Sequence, residues 1–159
     1  MARTHRTREL VAVAVLLAGG CGWLPPDSPP VPPAPPDPDA PLLHTWTITG
    51  HVLGQRALIS ETDAAGFHDR TIAVTAGGYT SPWSGSCSDA RRGHQPRTLA
   101  EVAAEHDIAG NRAATLGLTE PVVAYQLLCA TNRTPPLLLY VAGPHAVTCW
   151  SGVCYLLAR

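Results

Sequence analysis

Four cysteines in the second half of this chain restrict its fold more than any other sequence feature: Cys87, Cys129, Cys149 and Cys154. Four cysteines can pair in three ways. The dipeptide Ser151-Gly152 is typical of a two-residue hairpin loop, which places Cys149 opposite Cys154. Opposite residues in a hairpin have Cα atoms about 4.5–5.5 Å apart, a distance that a disulfide spans. We therefore predict a Cys149–Cys154 disulfide and, by elimination, a Cys87–Cys129 disulfide.

Short segments rich in β-branched and aromatic residues predict a mainly antiparallel β-sheet. Three of them lie before residue 84: Trp46–Thr49, Thr71–Thr75 and Tyr79–Trp83. The C-terminal third carries the strongest pattern, in Val122–Ala130, Leu137–Val141, Ala146–Trp150 and Val153–Leu157. Short turn signals between the last segments indicate consecutive antiparallel neighbours.

Two capping patterns predict short helices. Ser60 can cap a helix over Glu61–Phe67. Thr98 and Glu101 form a capping box before a helix over Leu99–His106. Together with the strands, these helices predict an α+β fold of one domain over residues 42–159, with a disulfide-stabilised, mainly antiparallel sheet and two short helices packed on it.

Charge and motifs exclude several functions from the prediction. The formal net charge is −1, whereas a nucleic-acid partner usually requires a basic footprint. We interpret Arg91, Arg92 and Arg97 as parts of a solvated polar loop. The sequence contains no G-x-S-x-G, no H-E-x-x-H, no C-x-x-C pair and no phosphate-binding loop. We therefore expect no catalytic residue, no metal, no cofactor and no nucleic acid.

The histidines keep one alternative open, an enzyme without a known motif. It requires His68, Asp69, His94 or His106 to converge in a pocket. A histidine beside an aspartate in sequence usually points away from it, so His68-Asp69 is a weak signal. The prediction is therefore that the domain is not an enzyme.

The first twenty residues have the pattern of an export signal. Residues 1–8 carry three arginines, and Leu10–Gly20 is an unbroken run of eleven apolar or small residues. A charged segment before an apolar run of this length is typical of a signal peptide. The run is too short for a transmembrane helix, which needs about 20 apolar residues. Export also agrees with the even cysteine count of the domain, since disulfides persist outside the cytosol.

The segment Leu17-Ala18-Gly19-Gly20-Cys21 resembles the lipobox of bacterial lipoproteins, although Ala18 stands where that family usually has leucine. The resemblance implies cleavage before Cys21 and attachment of diacylglycerol to its thiol. Two or more acyl chains hold a protein firmly on a membrane. In a Gram-negative host, Gly22 after the cysteine implies sorting to the outer membrane, with the domain facing the periplasm. An ordinary secretory signal, without the lipid, is the alternative.

A proline-rich segment follows the proposed lipid site. Residues 25–41 contain ten prolines, a composition that favours extended polyproline II at about 3.1 Å per residue. We interpret residues 21–41 as the lipidated cysteine and a semi-rigid tether of roughly 50 Å. A ligand for a proline-binding domain is the alternative.

Two tryptophans are the candidate binding residues. Trp83 lies between Pro82 and Ser84 in a predicted loop, and Trp150 lies at the end of a predicted hairpin strand. Tryptophan is enriched among residues that dominate binding energies. We therefore predict that Trp83 and Trp150 contact a ligand.

The domain also resembles uncharacterised small periplasmic β-rich lipoproteins. The resemblance rests on the early Trp46 strand, on Cys87 and Cys129, and on the final Gly152-Val153-Cys154-Tyr155 segment. The layout is loosely similar to lysozyme-inhibitor and META-type envelope domains as well. It implies a membrane-anchored envelope lipoprotein whose noncatalytic domain binds an envelope protein or a cell-wall component. A lysozyme inhibitor with an exposed loop, and a structural envelope-integrity protein with an exposed apolar patch or sheet edge, are the alternatives.

Overall fold

The computed structural model describes residues 35–130 and 135–159, so the predicted signal, Cys21 and most of the tether lie outside the described residues. Residues Pro36–Arg159 form one compact unit. Its strands are β1 (Thr45–Leu53), β2 (Thr71–Thr75), β3 (Gly78–Ser81), β4 (Gly85–Cys87), β5 (Ala90–Arg97), β6 (Val122–Cys129), β7 (Leu137–Ala142), β8 (His145–Trp150) and β9 (Val153–Ala158). Within these ranges, no helix is long and apolar enough to cross a membrane.

The nine strands form one antiparallel sheet in the order β4-β3-β2-β1-β9-β8-β7-β6-β5. The sheet curls until its two edges approach each other. Cys87 of edge strand β4 is bonded to Cys129 of β6, the neighbour of edge strand β5. The guanidinium of Arg92 on β5 donates to the carbonyl oxygens of Thr75 and Ala76 at the turn between β2 and β3. The Cys87–Cys129 disulfide therefore joins the two sides of a curled sheet.

The alternation of side chains along the strands divides the core in two. The inner face lies inside the curl and carries Trp46, Leu139 and Tyr155, all fully buried. The outer face carries Tyr140 and Val147, and helix α2 (Leu99–Glu105) and a 3-10 helix (Gly110–Leu116) cover it. The fold is α+β with a mainly antiparallel sheet, as predicted.

Both disulfides are paired as predicted. In the hairpin of β8 and β9, Cys149 lies opposite Cys154 and Trp150 lies opposite Val153. The turn residues Ser151 and Gly152 have φ of 52° and 77°, the left-handed conformation that two-residue hairpin loops require. Local turn chemistry therefore sets the register that brings the two cysteines together.

Helix caps form where the sequence predicts them. The Ser60 side chain accepts from the Asp63 amide at the start of helix α1 (Glu61–Ala65), and Thr98 and Glu101 make a reciprocal capping box at α2. The 3-10 helix is additional to the two predicted helices.

One segment was interpreted wrongly. Arg91, Arg92 and Arg97 lie in strand β5, which pairs with β6 over eight residues, and not in a loop. Much of β5 is solvent-exposed, so it carries no alternation of apolar and polar residues. Backbone pairing with β6, rather than a buried face, holds this segment extended.

Candidate functional site

Four aromatic side chains meet on the inner face of the sheet and form what we call the aromatic cluster: Phe67, Trp83, Trp150 and Tyr155. The Trp83 ring stacks on Trp150, with centroids 5.8 Å apart and 12° between the planes, and on Tyr155 at 5.0 Å. Phe67 meets the other three rings edge-on at 5.6–5.8 Å. Stacked and edge-to-face pairs both stabilise such clusters.

The cluster is buried on one side and partly open on the other. Tyr155 is fully buried, whereas Phe67, Trp83 and Trp150 are half-buried. The curl of the sheet brings Trp83, which follows β3, to Trp150, which ends β8. The structure therefore places the two predicted binding tryptophans in contact with each other, and their binding role stays a prediction.

A chain of polar side chains borders the aromatic cluster. Nδ1 of His51 lies 2.9 Å from Nε2 of His68, and a hydrogen bond joins the two rings. Nε2 of His51 lies 2.9 Å from a carboxylate oxygen of Glu61, although the geometry is not that of a hydrogen bond. The Glu61 side chain is 72% exposed and that of His51 is 6% exposed. These side chains therefore connect the exposed carboxylate of Glu61 with the buried ring of His51, whose centre lies 6.4 Å from that of the Tyr155 ring.

A register shift in β1 explains why His51 points to this site. The pairing of β1 with β9 slips between Ile48 and Gly50. Before the shift, Trp46 and Ile48 face the inner side; after it, Leu53 does, and the His51 ring reaches His68 and Tyr155. A slip of one residue exchanges the faces of a strand. Sequence alternation alone does not reveal such a slip.

The Tyr155 hydroxyl is buried and has no hydrogen-bond partner among the described residues. Burial raises the pKa of Tyr155 to about 12. Because a buried hydroxyl without a partner loses its hydration, we expect Tyr155→Phe to raise the free energy of unfolding by about 1 kcal/mol. Urea unfolding at neutral pH measures this change. A loss of stability in this variant would show that the hydroxyl has a partner after all.

The outer face holds a second polar cluster. The Tyr140 hydroxyl lies 2.8 Å from Nε2 of His106, so one of the two groups donates to the other. Burial lowers the pKa of His106, although the nearby charges of Glu105 and Asp107 act in the opposite direction. Burial is also the main cause that raises the pKa of Tyr140, and the charge of Glu105 raises it further.

Sulfur atoms lie beside this outer cluster. Potential ligand atoms of His106, Cys149 and Cys154 are all within 4.8 Å of one another. Zinc sites use cysteine as thiolate. Because the two sulfurs are joined in a disulfide, neither is a thiolate, and the cluster offers a metal ion only the imidazole of His106.

The four residues named for the enzyme alternative have separate surroundings. His68 contacts His51 on the inner face, and His106 contacts Tyr140 on the outer face. His94 lies on edge strand β5, with its ring 5.9 Å from that of Tyr125. Asp69 is exposed and has φ of 62°. These four side chains therefore do not converge in one pocket.

A loop beside the cluster carries a residue that the sequence analysis missed. Leu58 is 81% exposed, and its amide donates to the Ser151 carbonyl at 2.8 Å, directly after Trp150. We call residues Gly54–Ser60 the Leu58 loop. No sequence signal distinguishes an exposed leucine from a buried one in a segment without periodicity.

No protein-family model, no curated protein and no solved structure matches this chain, so the interpretation of the site rests on its own geometry.

Proposed function

We propose that this chain is an exported lipoprotein of the bacterial cell envelope, anchored through Cys21, whose noncatalytic domain binds its ligand with the surface around Trp83 and Trp150. The observation that carries the binding role is the stacked, half-buried tryptophan pair. Tryptophan residues at the centre of a partly desolvated surface dominate many interfaces.

Two further features support export and anchoring. Two disulfides form in the domain, which fits an oxidising compartment. The pattern of residues 1–21 resembles a lipoprotein signal. The proline-rich tether would hold the domain off the membrane while the lipid retains it there.

The anchoring part is tested by metabolic labelling with an alkyne fatty acid. We expect the full chain to incorporate the label into the membrane fraction and the Cys21→Ser variant to lose it completely. A Ser28→Ala variant is the matched control, since it changes the same segment without touching the cysteine. Equal labelling of the wild type and Cys21→Ser would exclude this lipid site.

The binding part is tested by photo-crosslinking in cells. Because the sequence contains no lysine, amine-reactive reagents have no side chain to attack, and a photoreactive amino acid is needed. It replaces Arg70, whose guanidinium lies 5.3 Å from the centre of the Phe67 ring. We expect a discrete adduct that Trp150→Ala reduces at least about tenfold, the effect of losing about 1.4 kcal/mol of binding.

His145→Ala is the matched control for this experiment. His145 is exposed and begins β8, at the opposite end of the strand from Trp150. Its variant should keep the adduct. An adduct that both variants reduce equally, or that neither reduces, would move the binding surface away from the tryptophan pair. Near-ultraviolet circular dichroism verifies that each variant is folded.

A further inference from the structure

Three groups that can ligate a metal ion meet on the outer face of the sheet, where His106 ends α2 and Cys149 and Cys154 lie on β8 and β9. A ring nitrogen of His106 and the two sulfurs all lie within 4.8 Å of one another. In a tetrahedral zinc site with ordinary bond lengths, neighbouring sulfur and nitrogen ligands are about 3.5–3.8 Å apart. Rotation of the two cysteine side chains, once the S–S bond is broken, can therefore place all three groups around one zinc ion.

Packing against the β8–β9 turn holds His106 at this position. A Cβ atom added to Gly54 would lie 2.6 Å from the His106 carbonyl oxygen and 2.9 Å from that of Gly152. Only glycine at position 54 therefore allows the end of α2 and the turn to approach this closely. The next residue, Asp107, accepts from the Arg56 guanidinium with both carboxylate oxygens, at 2.6–2.9 Å. The backbone that carries the imidazole is thus fixed beside the hairpin.

The Tyr140 hydroxyl holds the imidazole ring itself. It lies 2.8 Å from Nε2 of His106, and the two ring planes are 76° apart. Histidines that bind metals usually have such a second partner, which orients the ring and selects its tautomer. Because Tyr140 is fully buried, it is the positioning residue that would orient His106 towards a metal ion.

The hairpin disulfide is the more accessible of the two disulfides. Cys149 is half-buried, whereas its partner Cys154 and both cysteines of the other disulfide are buried. Thiol–disulfide exchange begins with the attack of a thiolate on a sulfur that it can reach. Breaking this bond leaves the hairpin register in place, because the two-residue turn and the pairing of β8 with β9 also set it.

Burial decides which cation fits this ligand set. Two thiolates and one neutral imidazole carry two negative charges, which a divalent cation balances and a monovalent cation does not. Cys154 is fully buried in the apolar core of the outer face, where an uncompensated charge is costly. Zinc is the divalent cation that cysteine and histidine commonly bind together in proteins.

We propose that Cys149, Cys154 and His106 bind Zn²⁺ when the hairpin disulfide is reduced by a protein dithiol. A thiolate of the dithiol attacks the Cys149 sulfur, the S–S bond breaks, and Cys154 leaves as a thiolate. The second thiolate of the donor then releases Cys149, and the donor becomes a disulfide. The hairpin gains two electrons and two protons, and Zn²⁺ displaces the two protons when it binds the thiolates. This site does not depend on the proposed function.

The test measures metal binding by the purified full chain in its disulfide and dithiol forms. The chain is reduced with excess dithiothreitol, which is then removed under argon, and alkylation followed by mass spectrometry identifies the reduced cysteines. Co²⁺ is the first probe, because thiolate ligands give it a strong near-ultraviolet charge-transfer band, and its displacement by Zn²⁺ gives the Zn²⁺ affinity. We expect the dithiol form to bind one ion with this band and the disulfide form to show no band.

Three variants locate the site. His106→Ala should weaken Zn²⁺ binding to the dithiol form at least about tenfold, an effect that even the loss of a group supporting a ligand can have. His145→Ala removes an exposed histidine at the other end of β8 and should leave the affinity unchanged. The double variant Cys149→Ala, Cys154→Ala should lack the band even when the other disulfide is reduced.

Equal metal binding by the disulfide and dithiol forms would overturn the inference, as would a dithiol form without the band. Equal affinities of His106→Ala and the wild type would have the same consequence, since the imidazole would then not be a ligand. A band that persists in the double cysteine variant would place the thiolates elsewhere in the chain. Near-ultraviolet circular dichroism must show that the reduced domain is folded, because loss of the folded signal on reduction would contradict a site that requires the hairpin.

Discussion

Replacing Cys87 and Cys129 together by alanine is expected to lower the free energy of unfolding by about 4 kcal/mol. The bond links residues 42 positions apart, so its loss releases a long loop in the unfolded chain. It also connects β4 to β6 across the gap between the sheet edges. Urea unfolding, followed by tryptophan fluorescence, measures the change.

The second disulfide provides the matched control. Cys149 and Cys154 are only five positions apart, and the hairpin already holds them opposite each other. For so short a loop, the double alanine variant should lose about 2 kcal/mol. Both variants remove two largely buried sulfurs, so the difference between their losses in free energy of unfolding reflects the lengths of the loops that the two disulfides close. A larger loss from the hairpin variant would contradict this explanation.

Above about pH 10, we expect the stability of the domain to fall steeply, because its most buried tyrosines resist ionisation. An unfolded tyrosine ionises near pH 10, whereas burial raises the pKa of folded Tyr155 to about 12. The unfolded state therefore releases a proton that the folded state retains. Between about pH 10 and about pH 12, this tyrosine alone lowers the free energy of unfolding by about 1.4 kcal/mol per pH unit.

Tyr155→Phe isolates this contribution. Tyr140 is also fully buried and has a raised pKa, and burial raises the pKa of Tyr79 and Tyr125 as well, so the wild type should lose stability faster than Tyr155 alone requires. Tyr155→Phe should reduce the slope by about 1.4 kcal/mol per pH unit. Urea midpoints at several alkaline pH values, with tyrosinate absorbance recorded in parallel, measure the slope. Equal slopes for variant and wild type would show that Tyr155 ionises in the folded domain as it does in the unfolded chain.

The C-terminal third could be predicted because its signals are local. In β7 and β9, apolar residues fill both faces of the strands, and the Ser151-Gly152 turn sets the register of the last hairpin. Cysteine pairing follows from that register. Strand β5 could not be predicted, because a strand that is held by backbone pairing and exposes most of its side chains has no hydrophobic period.

The candidate site depends on long-range geometry that no local signal carries. The sequence suggests Trp83 as a binding candidate from its loop position and Trp150 from its place at a hairpin end, but their stacking arises from the curl of the sheet. The contact of His51 with His68 depends on the register slip in β1. Leu58 stands out only when its exposure and the bonds that hold its loop are known.

The meeting of the sheet edges has a consequence for molecules crowded together on one membrane. A free edge strand offers unpaired backbone groups to a neighbouring copy of the protein. Here β4 is only three residues long, and β5 carries Pro96 and three arginines. Short edges, proline and positive charge all oppose strand addition. If the proposed lipid anchor holds many copies side by side, these edges would keep the copies separate, and each would keep its surface around Trp83 and Trp150 available.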